Sequence, residues 1–161
     1  MSIARILTHF TDAVAAHDSP AFADLFTPDG WYDDYFWGRH VGRDAIAAML
    51  DRFHVGGELF AWEFSDPVQA GDLAYATYCF SYRSREPESK GQLVVFEGMA
   101  RFRLHEGLIA HYAEVFDRGS AFSQLGYAPP RIGKLLDRYA AGWRDTPVVQ
   151  RHLELRTRLG R

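Results

Sequence analysis

The chain has 161 residues, 47% of them apolar and 15% aromatic, with 18 Lys+Arg against 21 Asp+Glu. Such a composition fits one ordinary domain that can fill a core and still line a pocket, and it excludes a disordered, collagenous or low-complexity chain. A formal charge of −3 leaves no basic excess for phosphates, so no nucleic-acid partner is expected.

Apolar residues at three- and four-residue steps (Ile3, Ile6, Leu7, Phe10, Ala13, Val14) predict an amphipathic helix over Ile3 to His17. Asp18-Ser19-Pro20 ends it and opens a second helix to Phe26, with Ser19 as N-cap and Pro20 at the first helical position. Pro28-Asp29-Gly30 is a turn signal. The aromatic run Trp31 to Trp37 reads as a strand, 38–42 as a loop, and Arg43 to His54 as a third helix stopped by Gly56-Gly57. Four strand-like runs follow: Glu58 to Phe64, Leu73 to Arg85, Gln92 to Leu104 and Leu108 to Asp117. The short links between them predict antiparallel hairpins. Ser120 to Gly126 reads as a short helix or turn, and helices are expected over Arg131 to Trp143 and Val148 to Leu159, the end of the chain being a solvated helix end. This order defines an α+β class: N-terminal helices wrapped on a curved antiparallel sheet, with a pocket between them and extra C-terminal helices.

The one cysteine, Cys79, allows no intramolecular disulfide and no Cys-based zinc site, and it favours a reducing, cytoplasmic location. No apolar run is long enough for a signal peptide or a membrane span, so no membrane partner is expected. The seven His are not at metal-ligand spacing, and no metal or cofactor is expected.

Three stretches carry a family resemblance. They are Ala15-Ala16-His17-Asp18 with Leu25-Phe26-Thr27-Pro28-Asp29-Gly30; Val41-Gly42-Arg43-Asp44-Ala45-Ile46; and Phe102 to Ile109 followed by Tyr112-Ala113-Glu114-Val115-Phe116-Asp117. Their order and spacing resemble the NTF2-like, or SnoaL-like, superfamily, the cone-shaped fold of ketosteroid isomerases, scytalone dehydratase, limonene epoxide hydrolase and polyketide cyclases. The resemblance implies a domain over residues 1–127; residues 128–161 lie outside its common core and are expected as a C-terminal helical extension packed on the same domain. It also implies a homodimer through the convex sheet face, carrying Tyr78, Phe80, Tyr82, Glu97, Arg101, Arg103 and His111.

By position, Asp34 looks like the catalytic base of ketosteroid isomerases. Tyr32 and Asp34 look like the Tyr-x-Asn of limonene epoxide hydrolase, and Glu114 like that enzyme's second carboxylate. Strand alternation places Tyr32, Asp34 and Phe36 on one face and Tyr112, Glu114 and Phe116 on one face. The resemblance points Thr77, Cys79, Ser81 and Arg83 inward too. The expected catalytic set is Asp34, Glu114, Tyr32 and Arg83. The expected substrate-binding set is Phe10, Phe36, Cys79, Ser81, Ala100, Phe102, Tyr112 and Phe116. A carboxylate facing an aromatic pocket should have a raised pKa, which suits proton transfer. The expected ligand is a small, apolar, oxygen-bearing molecule, and the expected function a cofactor-independent acid/base lyase or isomerase. Two alternatives stay open: an epoxide-type hydrolase, and a non-catalytic ligand-binding or dimerising accessory protein. Phe10 and Ala100 stand where ketosteroid isomerases place oxyanion donors, and Ser81 and Arg83 where the epoxide hydrolase places its Arg and Asp. Neither mechanism carries over intact.

Overall fold

A computed structural model describes residues 2–160. Two compact units divide the chain after Gly126.

The first unit opens with α1 (Ile3–Ala16), which buries Ile3, Ile6, Leu7, Phe10, Ala13 and Val14 along one stripe. The short α2 (Ser19–Asp24) is capped by Asp18, not Ser19: Asp18 Oδ1 accepts the Ala21 N–H at 2.9 Å. Ser19 donates its hydroxyl to Asp51 instead, at 2.5 Å. β1 (Phe26–Asp34) starts earlier than expected, and residues 35–37 form a turn into β2 (Gly38–Val41), a strand where a loop was expected. The hydrogen-bonding needs of the hairpin backbone override the glycine-rich composition of residues 38–42.

α3 (Arg43–Gly56) leads into β3 (Gly57–Ala70), which runs through Asp66-Pro67 by a register shift between Ser65 and Val68. β4 (Leu73–Ser84), β5 (Leu93–His105), β6 (Leu108–Phe116) and α4 (Arg118–Gln124) complete the unit. The strands make one curved, open six-stranded sheet in the order β2-β1-β6-β5-β4-β3. All its pairings are antiparallel except β1 with β6, which are parallel, with Tyr32 opposite Tyr112 and Asp33 opposite Ala113.

Alternation sorts the sheet into two faces. Inward-facing Tyr32, Ala76, Tyr78, Phe80, Val94, Ala100, Phe102, Leu104 and Tyr112 are buried. Phe10 of α1 sits at their centre, fully buried, with ring centroids 4.7 Å from Phe22, 5.0 Å from Trp62 and 5.4 Å from Tyr112. Outward-facing Val95, Met99 and Val115 stay exposed. β6 pairs with β5 only as far as Gly98, opposite Phe116. Beyond it, Gln124 of α4 occupies the free edge of β5, accepting the Val95 N–H at 2.8 Å and donating to the Val95 carbonyl at 2.9 Å.

The second unit holds α5 (Pro129–Arg144) and α6 (Pro147–Arg158), each with proline in its first turn and neither with a buried residue. Among the described residues no helix is long and apolar enough to cross a membrane.

Candidate functional site

Asp34 ends β1 facing inward and is only 6% exposed. The turn that follows supplies two donors: the N–H groups of Phe36 and Trp37 both reach Asp34 Oδ1 at 2.7 Å. An aspartate bonding the backbone two and three residues on is a usual way to close such a turn. The other oxygen, Oδ2, accepts no hydrogen bond from the described residues. Burial raises the Asp34 pKa to about 6, the Trp37 and Phe36 N–H groups and the charges of Arg118 and Arg52 offsetting part of the rise.

Glu114 comes from β6 on the same face. Its Oε2 accepts the Tyr112 hydroxyl at 2.8 Å and the Tyr78 hydroxyl at 3.0 Å. Burial and the charge of Asp34 raise its pKa to about 8, and the two hydroxyls and the Tyr35 backbone hold it from rising further. Burial and the Glu114 charge in turn push both tyrosines far above the ordinary phenol range, so they act only as neutral donors. The two carboxyls are thus set apart, Asp34 staying the stronger acid and Glu114 being pushed further toward its protonated form by burial and by Asp34.

Tyr78 reaches Glu114 from β4 across β5, and Gly98 makes that possible. A Cβ on Gly98 would lie 2.4 Å from the Tyr78 ring and hydroxyl. The rest of the site is aromatic. Tyr32 lies against Tyr112 with centroids 4.4 Å apart, Phe116 stacks on Phe96 at 4.1 Å, and Phe36 packs against Phe116 at 4.8 Å. Trp62 lies 5.3 Å from Tyr78, its Nε1 buried without a hydrogen-bond partner.

Of the expected residues, Asp34, Glu114, Tyr32, Tyr112, Phe116, Ala100 and Phe102 share the inward face, and Phe36 closes it at the turn. Phe10 is a core residue beneath it. Cys79, Ser81 and Arg83 do not belong to the site. They alternate with the buried Tyr78 and Phe80 and so face outward with Thr77, Arg83 being exposed, its Nη1 donating to the Gly91 carbonyl at 3.4 Å. By the same alternation Tyr78, Phe80 and Tyr82 leave the expected convex patch. The convex face keeps Glu97, Arg101, Arg103 and His111. The expectation missed Tyr78, Gly98 and Trp62. The signal for Tyr78 was present: Ala74, Ala76, Tyr78, Phe80 and Tyr82 form the more apolar of the two β4 sets.

Asp33, one residue from Asp34, is its opposite. It faces outward between Arg39 (Nε to Oδ1 at 2.5 Å, Nη2 to Oδ2 at 2.9 Å) and His111 (Nε2 to Oδ2 at 2.7 Å). Burial works to raise its pKa, but His111 and Arg39 outweigh that and hold it at about 2.

A protein with this sheet, these helices and an acid pair on the inward face is of SnoaL-like type. The SnoaL-like domain model matches residues 7–112, and the chain belongs to that family. Solved structures agree on the fold. A hypothetical protein with a ketosteroid isomerase-like fold from Catenulispora acidiphila DSM 44928, in complex with trimethylamine, is 20% identical. The match has a TM-score of 0.69 and covers 76% of this chain and 93% of that one. TsrD from Streptomyces laurentii is 23% identical, with a TM-score of 0.67, 77% of this chain and 94% of that one being covered. An LEH-like epoxide hydrolase from M. tuberculosis is 18% identical, with a TM-score of 0.63 and coverage of 75% and 86%. Comparison with curated proteins finds no match.

Proposed function

We propose that this SnoaL-like protein is a cofactor-independent acid/base enzyme, a lyase or isomerase acting on a mostly apolar small molecule with a carbonyl or hydroxyl oxygen. The observation that carries the reading is that Asp34, bonded through Oδ1 alone, and Glu114, fixed by two tyrosine hydroxyls, stand on the same inward face, where burial raises the pKa of Asp34 to about 6 and burial with the Asp34 charge raises that of Glu114 to about 8. Asp34 takes a proton from the carbon beside a carbonyl while Glu114 gives its proton to the carbonyl oxygen, leaving a neutral enol. Returning a proton to a different carbon completes an isomerisation. If a hydroxyl stands β to the carbonyl, Asp34 gives the proton it took to that hydroxyl, which leaves as water while the enol O–H returns its proton to Glu114 and the carbonyl re-forms. The unpartnered Trp62 N–H, which costs stability while no acceptor reaches it, supports an oxygen-bearing ligand. Glu114, by giving its proton to the carbonyl oxygen, takes the part of the oxyanion donors missing at Phe10 and Ala100.

The test is exchange of the α-protons of 2-tetralone in heavy water. The wild-type protein should accelerate it, with a bell-shaped profile whose limbs fall near the pKa values of the pair, about 6 and about 8. Asp34→Asn should remove the acceleration while leaving 2-tetralone affinity within about twofold. Unchanged exchange in that variant would end the proposal.

A second reading is epoxide hydrolysis, favoured by the likeness to the epoxide hydrolase and by the same geometry. Asp34 would deprotonate a water that attacks the ring carbon, and Glu114 would protonate the epoxide oxygen as its bond to carbon breaks. Heavy-oxygen water would then label the diol formed from styrene oxide. The non-catalytic reading expects Asp34→Asn to alter affinity at most. The convex face, with Val95, Met99 and Val115 exposed among charges of both signs, is the surface we assign to a homodimer.

A further inference from the structure

The polar end of the candidate site continues past Asp34 onto β2. In the β1–β2 hairpin Asp34 lies opposite Gly38, and Tyr32 opposite His40. Residues directly opposite in an antiparallel pair share a face. His40 therefore stands on the inward face with Tyr32 and Asp34, two strand positions, or about 7 Å, along from Gly38. Gly38 itself adds no side chain there, and a Cβ at that position would meet no atom within 4 Å. Space is left open beside Asp34.

His40 meets Arg52 of α3, whose Nη2 lies 3.5 Å from His40 Nδ1. A guanidinium only donates, so Nδ1 faces it as a lone pair, and the proton of the neutral ring is on Nε2. Burial and the Arg52 charge hold the His40 pKa below its ordinary value, which keeps the ring neutral. Nε2–H is then a buried donor with no hydrogen-bond partner among the described residues. Native structures rarely leave such a group unpaired unless a water, an ion or a ligand meets it.

Arg52 is a cation without an anion. Arg39, Arg43 and Arg85 each hold a carboxylate oxygen at 3.0 Å or less. Arg52 makes no ion pair with any described carboxylate, and its only side-chain hydrogen bond among the described residues is the long one to His40. Asp51, next to it in sequence, is turned to Ser19 and His17. Asp34 feels the Arg52 charge without bonding to it, since its hydrogen bonds come from the Phe36 and Trp37 N–H groups. Arg118 of α4, its guanidinium 3.6 Å over the Tyr35 ring, adds a second positive charge that reaches Asp34. Two guanidinium charges thus act on one carboxylate.

A substrate whose only polar group is the reacting oxygen would leave the Arg52 charge unmatched. We propose that the substrate carries a carboxylate, and that Arg52, lodged against His40, selects it. The planar fork of a guanidinium fits the two oxygens of a carboxylate, and only one N–H of Arg52 is committed to His40. The site then takes an oxo acid or a hydroxy acid, its apolar body against the aromatic face and its acid group at the hairpin. For the reaction this assignment rests on the reading of Asp34 and Glu114 given above; for anion binding it does not.

2-Naphthoate and 2-naphthamide, alike in shape and different in charge, are the probes, titrated into the full-length protein by calorimetry at about pH 7, where a carboxylic acid is ionised. 2-Naphthoate should bind about tenfold more tightly, and Arg52→Gln should bring the two affinities together. Arg52 is exposed, so its replacement leaves the core intact. Equal affinity of the two ligands for wild type, an undiminished preference in Arg52→Gln, or no saturable binding of 2-naphthoate would each overturn the proposal. In turnover, 6-carboxy-2-tetralone should exchange its α-protons with a kcat/KM about tenfold above that of 2-tetralone, an advantage lost in Arg52→Gln. Exchange of 2-tetralone with no such advantage would overturn this proposal and leave the acid/base reading standing. Arg52-dependent preference for 2-naphthoate without exchange of either ketone would overturn that reading and support this one.

Discussion

Replacing Glu114 by Gln should make the protein more stable, and increasingly so as the pH rises. In the native protein burial and Asp34 raise the Glu114 pKa from 4.5 to about 8. Between those values the folded state binds a proton that the unfolded state has released. Stability from this group is therefore fully present below about pH 4.5 and lost as the pH rises through about 8. At about 1.4 kcal/mol per unit, the loss approaches about 3 kcal/mol at pH 7 and about 5 kcal/mol above pH 8, as upper values. Gln does not titrate and still accepts the Tyr78 and Tyr112 hydroxyls, so the variant lacks this loss. Asp34 titrates in both proteins and cancels in the difference to first order. Urea unfolding of both proteins between about pH 5 and about pH 9 measures it directly. The gain in stability of Glu114→Gln over wild type should grow with pH and level off past about 8, and at pH 7 it should appear as a rise in Tm of about 10 °C. Parallel stability curves for the two proteins would refute the claim that Glu114 is held protonated by its surroundings.

Tyr78→Phe removes a hydroxyl that stabilises the ionised form of Glu114, so the Glu114 pKa should rise above about 8, read from its side-chain carboxyl ¹³C shift against pH. Gly98→Ala places a methyl group 2.4 Å from the Tyr78 hydroxyl; it should cost about 2 kcal/mol of stability by urea unfolding and reduce 2-tetralone exchange. The double variant with Tyr78→Phe should recover little, because the ring itself meets the methyl. The homodimer proposed through the convex face predicts about twice the subunit mass in light scattering, and Val115→Lys with Met99→Lys should reduce it to the monomer mass; a wild-type monomer would refute that assignment.

The helices were legible because their apolar residues keep a 3.6-residue period: Ile3 to Val14 named the buried stripe of α1 completely. The strands of the meander were legible from turn residues between them. Asp34 and Glu114 were assigned to one pocket by the family resemblance, alternation sorting each only within its own strand. The face of β4 was misread because a positional likeness was put ahead of the strand's own pattern. That pattern puts Tyr78 and Phe80 inside and Cys79, Ser81 and Arg83 outside. The Tyr78–Glu114 bond depends on which residue of β5 lies between them, a fact of pairing register that no local pattern encodes. The contact of Arg52 with His40 was illegible for a similar reason. The two are 12 positions apart in the sequence, and only the packing of α3 against the β1–β2 hairpin brings them together.

The neighbours Asp33 and Asp34 are chemically identical, yet one is a strong acid and the other a weak one, because a strand shows successive side chains to opposite worlds. Slipping β1 by a single position would undo both at once: the outer aspartate would be carried away from Arg39 and His111, and the inner one would be turned into water. The Arg39 and His111 contacts outside the sheet and the burial of Asp34 inside it therefore favour one and the same register of β1.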